Sequence, residues 1–172
     1  PVDYNGALLM RVDNDLKPTV IQCDIHGANG LAFSADRRWM YTSDTPNAVI
    51  YRTPLDEQGE PGRREVFRRF QPGEGIPDGA AIDVEGCYWS AMFDGWRIAR
   101  FSPQGEELES YPMPVRCPTM VCFGGADMQT LYITTTRENM EDDELAQYPL
   151  SGAIFTLPVA VAGMKKLPFR ER

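Results

Sequence analysis

The residues best suited to chemistry are an asparagine and an aspartate at matching places in two sequence repeats. Asn29 opens the segment NGLAFSADRRWMYTSD, and Asp78 opens the segment DGAAIDVEGCYWSAM. An amide oxygen and a carboxylate are hard ligands that suit Ca²⁺, Mg²⁺ or Mn²⁺. The aspartate could also act as a general base toward a metal-bound water. Local turn formation is the alternative, because Asn-Gly and Pro-Asp-Gly sequences are common in turns.

The repeats extend over most of the chain. A third segment, TMVCFGGADMQTLYITTT, opens with Thr119 at the same place as Asn29 and Asp78. Each segment continues as a short strand, a turn and a strand centred on an aromatic residue. A second motif, an alternating strand, recurs between the segments as GALLMRV, AVIYRT, WRIARFS and GAIFTLP, with starts 42, 48 and 56 residues apart. This spacing predicts units of roughly 45 residues with about four strands each.

Units of this kind predict the fold. Proline (14) and glycine (15) separate short apolar runs rich in β-branched and aromatic residues, which is typical of strands joined by turns. We therefore predict an all-β chain of antiparallel four-stranded sheets, arranged as β-propeller blades around a central channel. Residues 1–172 would form one partial propeller domain of about three to four blades, with a basic tail over 165–172. The helix-tolerant stretch 137–148 is interpreted as a loop.

Other patterns are weaker candidates for a site. A Ser–His–Asp triad would need His26, the only histidine, and no GxSxG motif accompanies it. His26 is therefore interpreted as a loop residue, and Asp44 as a turn residue. The acidic run 141–144 lacks the spacing of an EF-hand loop and is interpreted as a solvated loop. The three tryptophans are interpreted as blade core.

Composition excludes several classes of protein. The chain has 17 basic and 25 acidic residues, a net charge of −8 that disfavours nucleic-acid binding. No stretch approaches the roughly 18 apolar residues of a membrane span, so no membrane partner is expected. The four cysteines form no CxxC pair, which disfavours structural zinc, and the apolar runs CYWSAM and MVCFGG predict core packing. Without a signal-peptide pattern, a cytoplasmic protein with free thiols is expected.

Five motifs follow one another in a recognisable order: NGLAFSADRRWMYTSD, IPDGAAIDVEGCYWSAM, WRIARFSPQGEEL, PTMVCFGGADMQTLYITTTR and PLSGAIFTL. In order and spacing they resemble the second half of the senescence marker protein (SMP-30), regucalcin and gluconolactonase family. The resemblance extends from about Gly6 to about Leu157. It implies a six-bladed β-propeller, of which this chain would contain about the last three to four blades.

The resemblance also implies an activity and a cofactor. Members of the family hydrolyse sugar lactones to aldonic acids with one divalent metal ion in the central channel. Calcium is the expected ion, with zinc, manganese or magnesium as alternatives. The Asn of the family's NGL motif corresponds to Asn29 and the Asp of its PDG motif to Asp78, which implies that both are metal ligands. The family's Glu ligand and its Arg and Asn substrate contacts precede the matched region, so no residue here is assigned to them.

Two functional hypotheses remain open. The first is a gluconolactonase-like hydrolase, or a truncated part of one, in which a metal polarises the lactone carbonyl and Asp78 orients or activates the attacking water. The second is a non-catalytic propeller remnant that binds calcium weakly or interacts with a protein partner. An incomplete ring leaves blade faces and strand edges open, so self-association is expected in either case.

Overall fold

The computed structural model describes residues 6–13 and 15–165, which form an almost entirely β structure with one short helix, α1 (Asp142–Gln147). The strands are, in chain order, β1 (Ala7–Val12), β2 (Pro18–Ile25), β3 (Ala28–Phe33), β4 (Trp39–Asp44), β5 (Val49–Pro54), β6 (Glu65–Arg69), β7 (Ile76–Ile82), β8 (Tyr88–Phe93), β9 (Arg97–Phe101), β10 (Glu107–Pro112), β11 (Pro118–Gly124), β12 (Thr130–Thr135) and β13 (Ile154–Pro158).

The strands form four antiparallel sheets, each built from strands that follow one another along the chain. These are β1–β2, β3–β6, β7–β10 and β11–β13, here called the first to fourth sheets. The three sequence repeats form the first two strands of the second, third and fourth sheets, and the second motif forms the third strand. This up-and-down order is that of propeller blades, so the predicted all-β, antiparallel organisation is confirmed.

The second, third and fourth sheets pack face to face through buried side chains. The third sheet contributes to two hydrophobic core clusters, one on each face, because alternate residues of a strand point to opposite faces. Tyr88 packs toward the second sheet, where Tyr41 lies 5.3 Å away between ring centroids. Trp89 packs toward the fourth sheet, where the Phe123 ring lies 5.5 Å away, edge to face. Burial on both faces explains why β7 and β8, the first two strands of this sheet, are largely apolar.

Residues 161–164, here called the clasp, run back from the fourth sheet to the third. The Met164 backbone N–H donates to the Ile82 carbonyl oxygen at 3.1 Å, and the Gly163 N–H donates to the Met128 carbonyl oxygen at 2.9 Å. A Cβ atom on Gly163 would overlap the Phe123 side chain. Only glycine therefore lets the clasp pass this close to the aromatic core between the two sheets.

The third sheet also contains a buried ion pair. The completely buried Asp83 carboxylate accepts hydrogen bonds from Arg100 Nε at 2.9 Å and Trp89 Nε1 at 2.8 Å. It also accepts the Cys87 backbone N–H at 2.9 Å. Arg100, itself buried, reaches Glu109 at 2.7 Å. Because every partner is a donor or an opposite charge, the carboxylate is stable inside the fold.

The helix α1 differs from the predicted loop over 137–148. Its first turn consists of three residues of the acidic run, where negative charges complement the helix dipole. Arg116 fixes the segment, because its guanidinium pairs with Glu144 at 2.7 Å and donates to the Asn139 carbonyl oxygen at 2.7 Å. These tertiary contacts explain a helix that the local sequence did not predict.

Smaller details also differ from the prediction. The fourth sheet has three described strands rather than four. The predicted basic tail over 165–172 lies outside the described residues except for Lys165. All four cysteines are free, but core packing is wrong for Cys122, which is exposed because its neighbours Val121 and Phe123 occupy the core face of β11. Among the described residues, no helix has the length and apolar composition to cross a membrane.

The three tryptophans do not all lie in the core as predicted. Trp89 is buried between the third and fourth sheets. Trp39 is half-buried, and the Arg52 guanidinium lies 4.5 Å above its ring. Trp96 is half-buried against Tyr148, with ring centroids 4.7 Å apart. The blade-core interpretation therefore applies fully to Trp89 and in part to Trp39, which packs against the core cluster of the second and third sheets, whereas Trp96 is half-buried outside both clusters.

Candidate functional site

The first strands of the second, third and fourth sheets lie next to one another, with β7 between β3 and β11. The regular pairing of each strand breaks close to its start. On β7 it breaks around Asp78, on β3 directly after Asn29, and on β11 around Thr119. Such bulges re-aim a side chain relative to the regular pleat. The three residues that the repeats predict to be equivalent therefore occupy equivalent places.

The glycine after each candidate ligand lets neighbouring first strands approach closely. Gly30 has a φ angle of +58°, and a Cβ atom there would overlap the Tyr88 hydroxyl and lie 3.0 Å from the Asp78 carbonyl oxygen. A Cβ atom on Gly79 would lie 2.6 Å from the Thr119 carbonyl oxygen. Both dipeptides lie within strands, so the turn alternative does not describe them.

Asn29 is connected to the next sheet through Thr45, which follows β4. The Asn29 side-chain Nδ2 donates to the Thr45 hydroxyl oxygen at 3.0 Å. The Thr45 hydroxyl in turn donates to the carbonyl oxygen of Pro77, at 2.8 Å. Pro77 directly precedes Asp78, so two hydrogen bonds link one candidate ligand to the backbone of the other.

A second connection lies behind the first and is buried. The Ser43 hydroxyl donates to the Asp78 carbonyl oxygen at 3.1 Å, and the Tyr88 hydroxyl donates to the Gly30 carbonyl oxygen at 2.8 Å. Burial raises the pKa of the Tyr88 phenol far above its usual range, so this group remains a neutral donor. The first strands of the second and third sheets are thus fixed relative to each other at the level of the candidate ligands.

The Asp78 side chain is half-buried and has an unusual environment. No hydrogen-bond donor among residues 6–13 and 15–165 reaches its carboxylate. Burial, assisted by the negative charge of Glu138, raises the pKa of Asp78 to about 6. A carboxylate with neither donor nor cation is destabilised in its charged form, and a bound cation would remove that cost.

Glu138 and Thr45 are the site residues that sequence reasoning missed. Glu138 is exposed and lies in the segment between β12 and α1, which Arg116 holds in place. Thr45 begins the 3-10 turn Thr45–Asn47. Neither residue belongs to a repeated motif. Thr45 lies in the turn between β4 and β5, and Glu138 lies between β12 and α1, so their positions depend on the folding of these two connecting segments.

Asp44 and His26 form a structural cluster beside the site. The predicted role of Asp44 within its own turn is wrong, since its side chain does not cap the turn that follows. Its buried carboxylate instead accepts the backbone N–H groups of His26 at 3.2 Å and Gly27 at 3.1 Å, and Asn47 Nδ2 at 2.9 Å. Burial opposes ionisation, but these hydrogen bonds outweigh it and lower the pKa of Asp44. His26 is exposed, and its Nδ1 lies 2.9 Å from Asn47 Nδ2.

The chemistry of the donor set agrees with a hard cation. The Asn29 amide oxygen and the Asp78 carboxylate are oxygen ligands of the type that Ca²⁺, Mg²⁺ and Mn²⁺ prefer. No cluster of three or more His, Cys, Asp or Glu side chains able to hold a metal occurs in the described ranges. Because such cations take six or more oxygen ligands, these two residues fit a cation as part of its coordination shell.

Comparison with known proteins identifies the family. The family model for the SMP-30/gluconolactonase/LRE-like region matches residues 2–137. The chain belongs to this family. The resemblance inferred from the five motifs is thereby confirmed, and the two dipeptides discussed above lie inside the matched region.

Relatives within the SMP-30/gluconolactonase family include named lactonases. A 6-deoxy-6-sulfogluconolactonase from Pseudomonas putida is 55% identical over 164 residues, which are 95% of this chain and 56% of that protein. A pentonolactonase from Haloferax volcanii is 34% identical over 169 residues, 95% of this chain and 58% of that protein. The chain spans about half the length of the curated relatives it matches.

A solved family structure agrees with the arrangement of the sheets. The crystal structure of a calcium-binding protein, regucalcin, from Agrobacterium tumefaciens superposes with a TM-score of 0.86 at 32% identity. The superposition covers 90% of this chain and 53% of that protein. The antiparallel sheets described above are therefore propeller-type sheets.

Proposed function

We propose that this chain carries part of the active site of a metal-dependent sugar-lactone hydrolase. The observation that carries this proposal is the half-buried Asp78 carboxylate, which lacks a donor among the described residues and lies on the strand beside that of Asn29. A partly desolvated carboxylate in this state favours a bound cation. The lactonase names of two relatives support the substrate class.

The roles of the two residues follow from their chemistry. Asn29 Oδ1 and the Asp78 carboxylate would hold the cation, with calcium preferred and zinc, manganese or magnesium as alternatives. A bound divalent cation supplies Lewis-acid polarisation of the lactone carbonyl. Asp78 would also orient the attacking water and accept its proton.

We infer that the complete ring has six blades. The described chain would supply the two outer strands of one blade, two whole blades and three strands of a fourth. Thirteen strands are about half of the roughly 24 that six four-stranded blades contain. This fraction agrees with the 53–58% coverage of the relatives compared above. Four free thiols favour a cytoplasmic location.

The test measures cation binding and lactone hydrolysis by the same samples. Metal-free protein is titrated with Ca²⁺ and with Mn²⁺ by isothermal titration calorimetry, and hydrolysis of gluconolactone, a pentonolactone and 6-deoxy-6-sulfogluconolactone is followed by acid release at constant pH. We expect one ion per chain and an affinity about tenfold or more weaker for Asp78→Asn. Asp127→Asn, in an exposed turn, is the control and should leave affinity unchanged.

The alternative is a propeller remnant without catalysis, and it is supported by the finding that the described residues contain no cluster of three or more His, Cys, Asp or Glu side chains able to hold a metal. A remnant would bind calcium weakly and with the same affinity in Asp78→Asn as in the wild type. It would release no acid from any of the three lactones. Cation binding that depends on Asp78, together with metal-dependent acid release, would exclude the remnant.

A further inference from the structure

Thr45 has a hydrogen-bond arrangement that fixes the orientation of the Asn29 side chain. A hydroxyl has one hydrogen to donate, and the carbonyl oxygen of Pro77, 2.8 Å away, can only accept. The Thr45 hydrogen is therefore directed to Pro77. The hydroxyl oxygen then accepts a hydrogen bond, and the neighbour at 3.0 Å is the Asn29 amide. The amide must present its NH₂ group to Thr45, which leaves Oδ1 on the opposite side.

The backbone of Thr45 is itself held firmly. Its N–H donates to the Gly27 carbonyl oxygen at 3.1 Å, and its carbonyl oxygen accepts the Ala48 N–H at 3.0 Å. The following residue, Pro46, has its ring close to Gly27, where a Cβ atom would be 3.1 Å from Pro46 Cγ. The hydroxyl is thus presented from a rigid turn between β4 and β5.

We propose that Thr45 is a positioning residue that selects the amide orientation in which Asn29 Oδ1 is available to a divalent cation. The inference rests on the proposed function, because it assigns Thr45 to the same site. The two orientations of an asparagine amide have nearly the same shape, and without Thr45 nothing described at the site distinguishes them. In the wrong orientation, the NH₂ group would replace the ligand oxygen.

The first variants remove and restore the hydroxyl. Thr45→Val keeps the shape of the side chain, and its affinity for Ca²⁺ and Mn²⁺ should fall about fivefold to tenfold, the effect expected from one neutral hydrogen bond. Thr45→Ser keeps the hydroxyl and should bind as the wild type does. Thr135→Val is the matched control, because the Thr135 hydroxyl also donates to a backbone carbonyl, that of Ala153, at 2.7 Å. This control should leave the affinity unchanged.

A carboxylate at position 29 separates orientation from general packing. The two oxygens of a carboxylate are equivalent, so Asn29→Asp needs no orienting hydrogen bond. In the Asn29→Asp background, adding Thr45→Val should therefore cause no loss of cation affinity, because the carboxylate has no NH₂ group for the Thr45 oxygen to accept from. Equal losses in both backgrounds would show that Thr45 acts through the Pro77 backbone, and would overturn its orienting role.

A readout without metal completes the test. The side-chain NH₂ signals of Asn29, identified by their loss in Asn29→Asp, should have a small temperature dependence in the wild type and a larger one in Thr45→Val. Unchanged NH₂ signals would overturn the orienting role while leaving the proposed function standing. If folded wild-type protein binds neither cation, the proposed function fails and the inference fails with it. If Thr45→Val weakens cation binding when residue 29 is Asn but not when it is Asp, the result would support both the proposed function and the orienting role of Thr45.

Discussion

Ser43 and Asp78 lie on adjacent sheets, and the Ser43 hydroxyl donates a 3.1 Å hydrogen bond to the Asp78 backbone carbonyl oxygen. Ser43 is completely buried, and its hydroxyl and the Tyr88 hydroxyl both lie against Gly30, where a Cβ atom would overlap them. Tyr88 also donates to the Gly30 carbonyl oxygen. A buried network of hydroxyls and backbone carbonyls therefore joins the second and third sheets next to the candidate ligands.

Removing the Tyr88 hydroxyl should destabilise the fold. Tyr88→Phe leaves the Gly30 carbonyl oxygen without this buried donor, and we expect the free energy of unfolding in urea to fall by about 1–2 kcal/mol. The double variant Tyr88→Phe/Ser43→Ala should lose less stability than the sum of the two single losses, because both hydroxyls belong to one network. Tyr132→Phe, at a 44% exposed position, is the control and should change little. Additive losses would contradict the shared network.

The ionised form of Asp78 should lower the stability of the metal-free protein when the pH exceeds the pKa of this residue. The folded-state pKa is about 6, above the value of about 3.9 in an unfolded chain. The folded state therefore holds this proton more strongly, and the associated stability is complete below about pH 4 and lost as the pH rises through 6. With chelator present, Asp78→Asn should thus raise the melting temperature at pH 7–8 and leave it unchanged below pH 4.

Glu138 provides an independent check on that pH dependence. Its charge contributes to the raised pKa of Asp78, so Glu138→Gln should lower this pKa. The stabilising effect of Asp78→Asn at neutral pH should then be smaller in the Glu138→Gln background, measured by thermal unfolding across pH. Glu57→Gln removes an exposed carboxylate elsewhere and should leave the effect unchanged. An identical effect in both backgrounds would show that Glu138 does not act on Asp78.

The buried pair of Asp83 and Arg100 should be essential for stability. Arg100→Met leaves the Asp83 charge buried without its cation, which typically costs about 3–5 kcal/mol. Arg11→Met removes an ion pair with Glu60 at the surface, where water and salt screen the charges, so its effect on stability should be much smaller. Urea unfolding of both variants compares the two positions directly. Similar losses for both would contradict the proposed difference between buried and exposed pairs.

The open edge of the fourth sheet should promote self-association. The strand β13 pairs with β12 alone within the described part of the chain, and its Ile154 is 70% exposed. We expect light scattering to report species larger than the 19.3 kDa monomer, and Ile154→Lys to reduce them because a charge protects an edge strand. Leu150→Lys, also at an exposed apolar residue but outside the strands, is the control. A monomeric wild-type chain would overturn this prediction.

The sequence predicted the repeating elements well because each unit has its own turns, aromatic strand and apolar pattern. It also predicted that Asn29 and Asp78 occupy equivalent positions, and the bulges beside them on β3 and β7 agree with this. It could not predict Thr45 or Glu138, because their roles arise from contacts between residues 16 or more positions apart. The helix α1 was missed for the same reason, since Arg116 holds it from a distant segment. Asn29 and Asp78 as metal ligands remain a prediction.

The clasp has a consequence for how the molecule opens. Because its residues hydrogen-bond to Ile82 at the end of β7 and to Met128 in the turn between β11 and β12, the third and fourth sheets cannot separate without breaking these backbone hydrogen bonds. The two sheets should therefore unfold locally as one cooperative unit, with amide hydrogens that exchange together and slowly. The first sheet is held to the second by polar contacts such as Gln22 to Thr53 at 3.0 Å, and should exchange earlier. The third sheet, which bears Asp78, then belongs to the slowest-exchanging part of the chain.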